Sequence, residues 1–285
     1  MADLAERLRE FDLSGIAVIT GPGGVEFEEC FGLADRAAGI PVTPATRFGL
    51  ASVTKMFTAV AVATLGVDFA APVVSLLPEQ RRPSTLRPDV TVHHLLSHTS
   101  HVGDYAEEEG PDPVEYETLW TDRPCYRFER PADFLPLFAH RPPYGPPDGE
   151  FHYSNAGYVL LGLIVEEVSG LSFVDAVRRQ VFEPAGMAAS GFFRLDEPVP
   201  DLAVGYLPSG RSSVYSLPVI GGADGGAQCT AADLDRFLRG YDYGSLLGDR
   251  RDAMLTPRAS VEPGIAARPR PSSSPPGWTG PSGRR

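Results

Sequence analysis

Leu4, Leu8 and Phe11 fall on one face at helical spacing, which predicts a short amphipathic helix from about Ala2 to Phe11. The pattern then changes period. Gly15-Ile16-Ala17-Val18-Ile19-Thr20 is β-rich, Gly21-Pro22-Gly23-Gly24 is a turn signal, and Val25 to Phe31 alternates apolar and polar positions. Together these predict a β-hairpin. After a loop punctuated by proline and threonine, an apolar run opens at Ser52 and should end with Gly66 as the C′ residue of a helix. Further on, Ser154 or Asn155 can cap a helix whose stripe is Leu160, Leu161, Ile164 and Val168 and which closes at Gly170. Leu171 to Phe182 reads as a second helix. Thr230-Ala231-Ala232-Asp233 has the form of a capping box, with Asp in place of the usual Glu, for a helix through Leu238. Between these elements, Asp104 to Gly149 is long, acidic and rich in proline and aromatics. It reads either as a pocket wall or lid, or as aromatic core filling.

The chain of 285 residues can bury a full core, and its 42% apolar and 22% charged content is ordinary for a soluble globular protein. After Pro257 the composition turns to proline, serine and arginine without a strand pattern. The expected organisation is therefore one domain over residues 1–263 and a disordered tail over 264–285. Net charge is −12, and the last 21 residues hold four arginines and no acid, so the rest is more acidic still. That argues against nucleic acid or an anionic membrane as partner. The stretch from Met1 to Glu10 has no apolar signal core and no run approaches a membrane span, so a cytoplasmic protein is expected. Cys30, Cys125 and Cys229 are far apart, odd in number and form no C-x-x-C, which reads as free thiols in a reducing compartment.

Two stretches carry candidate chemistry. In the first, Ser52 and Lys55 stand three residues apart at the start of the Ser52 helix, on one face. Lys55 is the only lysine in a chain that otherwise uses arginine. Arginine cannot give up its proton, whereas a buried lysine can, and a neutral lysine is a competent base for a serine. The alternative is a capping serine followed by an ordinary snorkelling lysine. In the second, His93, His94, His98 and His101 lie within nine residues, with His94 and His98 at a spacing that can bind zinc. The glutamate of H-E-x-x-H is missing and no third ligand is evident, so capping or surface histidines are the better reading. No metal and no cofactor are expected, and no G-x-S-x-G elbow is present.

Tyr153-Ser154-Asn155 lies about a hundred residues after Ser52. S-x-x-K followed at this distance by Y-x-N resembles the serine β-lactamase and penicillin-binding-protein superfamily. The closer likeness is to the branch of class C β-lactamases, D-alanyl-D-alanine carboxypeptidases, D-aminopeptidases and esterases. Further segments match in order: Thr46-Arg47-Phe48, Leu95-Leu96-Ser97-His98-Thr99-Ser100, Glu183-Pro184-Ala185-Gly186-Met187, and Thr230-Ala231-Ala232-Asp233-Leu234. The resemblance implies an α/β (α+β) fold with an antiparallel sheet flanked by helices, plus a helical subdomain. It implies Ser52 as acylated nucleophile, Lys55 as its base and structural partner, Tyr153 as proton relay, and Asn155 as the group orienting Lys55 and the substrate. Substrates would be small esters, amides or β-lactams. The absence of a signal segment argues against cell-wall peptidoglycan as substrate, so an esterase or peptidase is expected rather than a resistance enzyme.

The family's third motif, K-T-G or H-x-G, is expected on a strand that lines the cleft and supplies one oxyanion N–H. That strand pattern is not visible after Pro257, and Gly277-Trp278-Thr279-Gly280 matches it only superficially. The sheet is therefore expected to be incomplete at this end. The alternative to a working hydrolase is a truncated, catalytically impaired relative that at most binds ligands.

Overall fold

The computed structural model describes residues 2–11, 13–107, 116–147, 150–242, 246–257 and 259. The predicted N-terminal helix forms as α1 (Ala2–Arg9) and stops two residues short. Phe11, expected on its apolar face, lies beyond the helix and is 69% exposed. The hairpin forms as predicted, with β1 (Gly15–Gly21) antiparallel to β2 (Gly24–Phe31) and a register shift between Ile19 and Thr20. Gly24, at φ 116, completes the turn in a region closed to most side chains. Two further two-stranded antiparallel pairs follow: β3 (Leu33–Asp35) with β4 (Ile40–Pro41), and β5 (Phe48–Gly49) with a late strand β6 (Gln228–Cys229). Among the described residues the sheets are these three pairs, small and not closed.

A 3-10 turn, Ala51–Val53, leads from β5 into α2 (Thr54–Thr64), and Gly66 stands at φ 73 just beyond it, as predicted. The short helices α3 (Val73–Leu76), α4 (Val92–Leu96) and α5 (Pro131–Phe138) precede the long central helix α6 (Asn155–Ser169). Ser154 is its N-cap, its hydroxyl accepting from Gly157 N at 2.9 Å, and Gly170 closes it at φ 67. The second predicted helix is a composite: α7 (Phe173–Val177), a π-turn over Arg178–Phe182, then α8 (Glu183–Ala185). The capping-box helix is α9 (Ala231–Asp242), longer than expected, and α10 (Arg251–Leu255) follows. Thr230 caps α9 through Asp233 N, but the Asp233 carboxylate turns away to accept from Ala189 N and Ser190 Oγ. It ties the loop after α8 to α9.

The core is built around α2 and α6. From Asn155 to Val165 every residue of α6 is buried, as in a helix enclosed on all sides. Phe57 of α2 packs edge-on against Phe182 at 5.2 Å and Phe237 at 4.7 Å. Gly162 lets α6 pass close to Ala223 and to Pro131 of α5, because a Cβ there would stand 2.5 Å from the Ala223 Cβ. Five aromatics of the long acidic stretch fill the core: Tyr105, Trp120, Phe128, Phe134 and Phe138 are buried, while Tyr126 and Tyr144 are exposed. The three cysteines are free thiols. The Gly264–Arg285 tail and the third-motif candidate at Gly277–Gly280 lie outside the described residues.

Candidate active site

Ser52 lies in the 3-10 turn between β5 and α2, and this turn is pinned on both sides. Leu50 N donates to Ala227 O at 2.9 Å, and Thr54 Oγ1 accepts from Gly226 N and Ala227 N at 3.1 and 3.0 Å. Ala51, just before the serine, stands at φ 44, a conformation that L side chains adopt only when the surroundings impose it. The result is an exposed Ser52 hydroxyl at the start of a helix whose next turn is buried.

Lys55 lies one turn further on and is 5% exposed. Its Nζ is 3.1 Å from Ser52 Oγ, 2.7 Å from Asn155 Oδ1 and 2.7 Å from Asp224 O. It also stands 4.8 Å from the centroid of the Tyr153 ring. Asn155 Oδ1 and Asp224 O can only accept, so two N–H groups of Lys55 are committed to them. The third direction, toward Ser52, can carry either an N–H or the lone pair of a neutral amine. The partners of Asn155 fix its orientation as well: the oxygen faces Lys55 and Nδ2 donates to Ala106 O at 3.3 Å.

Tyr153 completes the group. Its OH is 2.6 Å from Ser52 Oγ. It directly precedes Ser154, the extended N-cap of α6, so the first residues of α6 decide where it stands. Those residues are held by Asp104, fully buried, whose carboxylate accepts from Asn155 N at 2.5 Å, Ala156 N at 3.1 Å and Ala106 N at 3.0 Å. Burial pushes the Asp104 carboxyl up to about 6, against the opposing pull of these backbone N–H groups. The four residues predicted for the site, Ser52, Lys55, Tyr153 and Asn155, therefore converge in one place.

The sequence reading missed three supporting residues. Asp104 was included only as the start of an acidic stretch. Asp224, whose carbonyl holds Lys55, also receives the Tyr105 hydroxyl on its carboxylate at 2.5 Å. Its signal was the cluster Gly221-Gly222-Ala223-Asp224-Gly225-Gly226, where Gly221 at φ 86 and Gly226 cross within a distance that excludes any Cβ. His98 was weighed as a zinc ligand; instead it stacks on Tyr153. His94 is a capping residue: its Nδ1 accepts from Thr91 N at 3.1 Å and its own N–H donates to Thr91 Oγ1. Among the described residues no group of three His, Cys, Asp or Glu side chains is arranged to hold a metal ion.

The family model described as Beta-lactamase matches residues 2–279. The chain belongs to the beta-lactamase family. Its fold matches a crystal structure of a penicillin-binding protein from Bacillus halodurans with a TM-score of 0.83 and 42% identity, over 91% of this chain and 80% of that one. The expected β-lactamase/transpeptidase-like architecture is thus the one observed. Two curated relatives within the beta-lactamase family are the esterase EstB of Burkholderia gladioli, 37% identical over 66% of this chain, and penicillin-binding protein 4 of Amycolatopsis lactamdurans, 31% identical over 81%. The chain spans 49% of the length of the first and 60% of the second.

Proposed function

We propose that this beta-lactamase family member is a serine hydrolase that works through an acyl-enzyme on Ser52, with small esters or amides as substrates. The observation that carries this reading is the position of Ser52 Oγ, within hydrogen-bond distance of both Lys55 Nζ and Tyr153 OH. A serine hydroxyl needs a base beside it to become a nucleophile, and here two candidates flank it.

In the acylation step Ser52 Oγ attacks the substrate carbonyl carbon. Its proton passes to the Lys55–Tyr153 pair. The carbonyl oxygen becomes an oxyanion, for which the Ser52 backbone N–H at the head of the helical stretch is one donor. Collapse breaks the bond to the leaving alcohol or amine, which takes the proton back through the Tyr153 hydroxyl. In the second step a proton of the attacking water passes through the Tyr153 hydroxyl to Lys55. The water oxygen attacks the acyl carbon, the ester to Ser52 breaks, and the proton returns to Ser52 Oγ. Asn155 keeps Lys55 on this path by taking one of its N–H groups. An esterase and penicillin-binding proteins among the relatives support ester and amide carbonyls as the reacting class; D-amino-acid peptides and β-lactams belong to the same class. The reading is tested with a panel of p-nitrophenyl esters, D-amino-acid p-nitroanilides and a chromogenic cephalosporin. Turnover of at least one by the wild type and of none by Ser52→Ala is expected. Equal turnover by both would overturn it.

A further inference from the structure

The chemistry above leaves His98 without a role, yet its contacts give it one. Tyr153 stands on backbone that belongs to neither helix nor strand, so no ladder of hydrogen bonds fixes its ring. His98 meets four consecutive residues of that stretch. Its ring lies edge-on to Phe151 at 5.5 Å, and its carbonyl accepts from His152 N at 2.7 Å. Its ring stacks on Tyr153 with centroids 4.7 Å apart and planes at 24°, and its Nδ1 accepts from Ser154 N at 3.0 Å. The imidazole also stacks on Tyr158 at 5.0 Å, and Tyr158 is anchored in turn by its OH to Leu96 O at 3.1 Å. The backbone of His98 stands at φ 57 to bring its ring and its carbonyl to bear together.

We propose that His98 is a positioning residue for Tyr153: a neutral imidazole that holds the phenol within hydrogen-bond distance of Ser52 by stacking on its ring and by accepting from the next backbone N–H. The proposal rests on the reading of Tyr153 as proton carrier. Because Nδ1 is an acceptor, the ring proton belongs on Nε2. Burial, and after it the charge of Lys55, lowers the imidazole to about 4, so this tautomer persists across the neutral range. His98 acts through Tyr153, because the nitrogen nearest the stretch is already committed to Ser154. Ser154 is itself 2% exposed, so its N–H has no access to water in place of this acceptor.

The test compares second-order labelling rates with a fluorophosphonate probe for the wild type, His98→Phe, His98→Asn, Tyr153→Phe and the double variant Tyr153→Phe/His98→Phe, with thermal midpoints recorded for each. Phenylalanine keeps a ring but has no acceptor, and its rate should fall at least about tenfold. Asparagine tolerates the positive φ and offers Oδ1 in place of Nδ1 but has no ring to stack, and it should label faster than His98→Phe yet slower than wild type. In the Tyr153→Phe background the His98→Phe change should alter the rate by less than about twofold, as coupled residues require. His98→Ala is the second acceptor-free variant if His98→Phe does not fold. An acceptor-free variant that labels as fast as wild type overturns the proposal. So does one that slows labelling by the same factor with and without the Tyr153 hydroxyl, because that is a general structural effect. If Tyr153→Phe labels as fast as wild type, the reading of Tyr153 fails and this proposal with it. If Tyr153→Phe is slow and the acceptor-free variant is not, this proposal alone fails.

Discussion

The Tyr153 hydroxyl lies 2.6 Å from Ser52 Oγ across 101 residues of sequence, and the packing of α2 against α6 brings the two together. This contact makes the first prediction. Tyr153→Phe removes the proposed proton carrier but leaves the aromatic ring beside Lys55. Ester turnover should fall by about 10²–10⁴, the range for loss of a general acid–base group. The thermal midpoint, read by circular dichroism, should stay close to wild type, since the lost hydroxyl is at the exposed end of the contact.

Lys55 is predicted to be irreplaceable by arginine. The buried Nζ lies within hydrogen-bond distance of Ser52 Oγ, Asn155 Oδ1 and Asp224 O. A guanidinium is larger and holds its proton permanently. Both Lys55→Arg and Lys55→Met should lose at least about 10²-fold in acylation rate, measured by stopped-flow with an activated ester. Activity within a few-fold of wild type in Lys55→Arg would mean that Lys55 contributes charge alone.

Gly162 links the core to the site. An alanine there would bring its Cβ to 2.5 Å from the Ala223 Cβ and 3.1 Å from Pro131 Cγ. Ala223 precedes Asp224, whose carbonyl holds Lys55, and its own carbonyl receives Thr58 Oγ1 at 2.6 Å. Gly162→Ala should destabilise the protein by about 1–3 kcal/mol in urea unfolding, as overpacking does. It should also slow acylation, because the displaced segment carries the Lys55 acceptor. Lost stability with an unchanged rate would show that the site does not feel this contact.

Asp104 predicts a pH dependence. Its folded pKa of about 6 lies above the ordinary 3.8, so between those values the folded protein holds a proton that the unfolded chain has released. The stabilising contribution of this group is then fully present below about pH 4 and is lost as pH rises through about 6. The span is worth roughly 3 kcal/mol. Asp104→Asn keeps an oxygen acceptor for the α6 N-terminus and removes the titration. Its stability relative to wild type should therefore improve from pH 4 to pH 6.5 in urea titrations. A constant difference across that window would contradict the assignment.

Elements with local signals were legible in the sequence. The Gly-Pro-Gly-Gly turn between alternating runs gave the hairpin, and Ser154 with Gly170 marked both ends of α6, because turns and caps are decided within a few residues. The motif residues Ser52, Lys55, Tyr153 and Asn155 were legible through their spacing and order. What escaped was held by contacts between distant segments. Nothing near Asp104 in the sequence says that it binds the backbone of residues 155 and 156. The Asp233 carboxylate was expected to complete its own cap, and it serves Ala189 and Ser190 instead. His98 carried a metal-like spacing to His94, yet α4 ends at Leu96, before His98 is reached. The i, i+4 face that zinc would need is never formed.

The central claim is that Ser52 is an activated nucleophile. Intact-mass spectrometry after reaction with a fluorophosphonate probe tests it directly on the wild type and on Ser52→Ala. One covalent adduct on the wild type and none on Ser52→Ala is the result predicted. No adduct on folded wild-type protein, or an adduct that persists in Ser52→Ala, would contradict it.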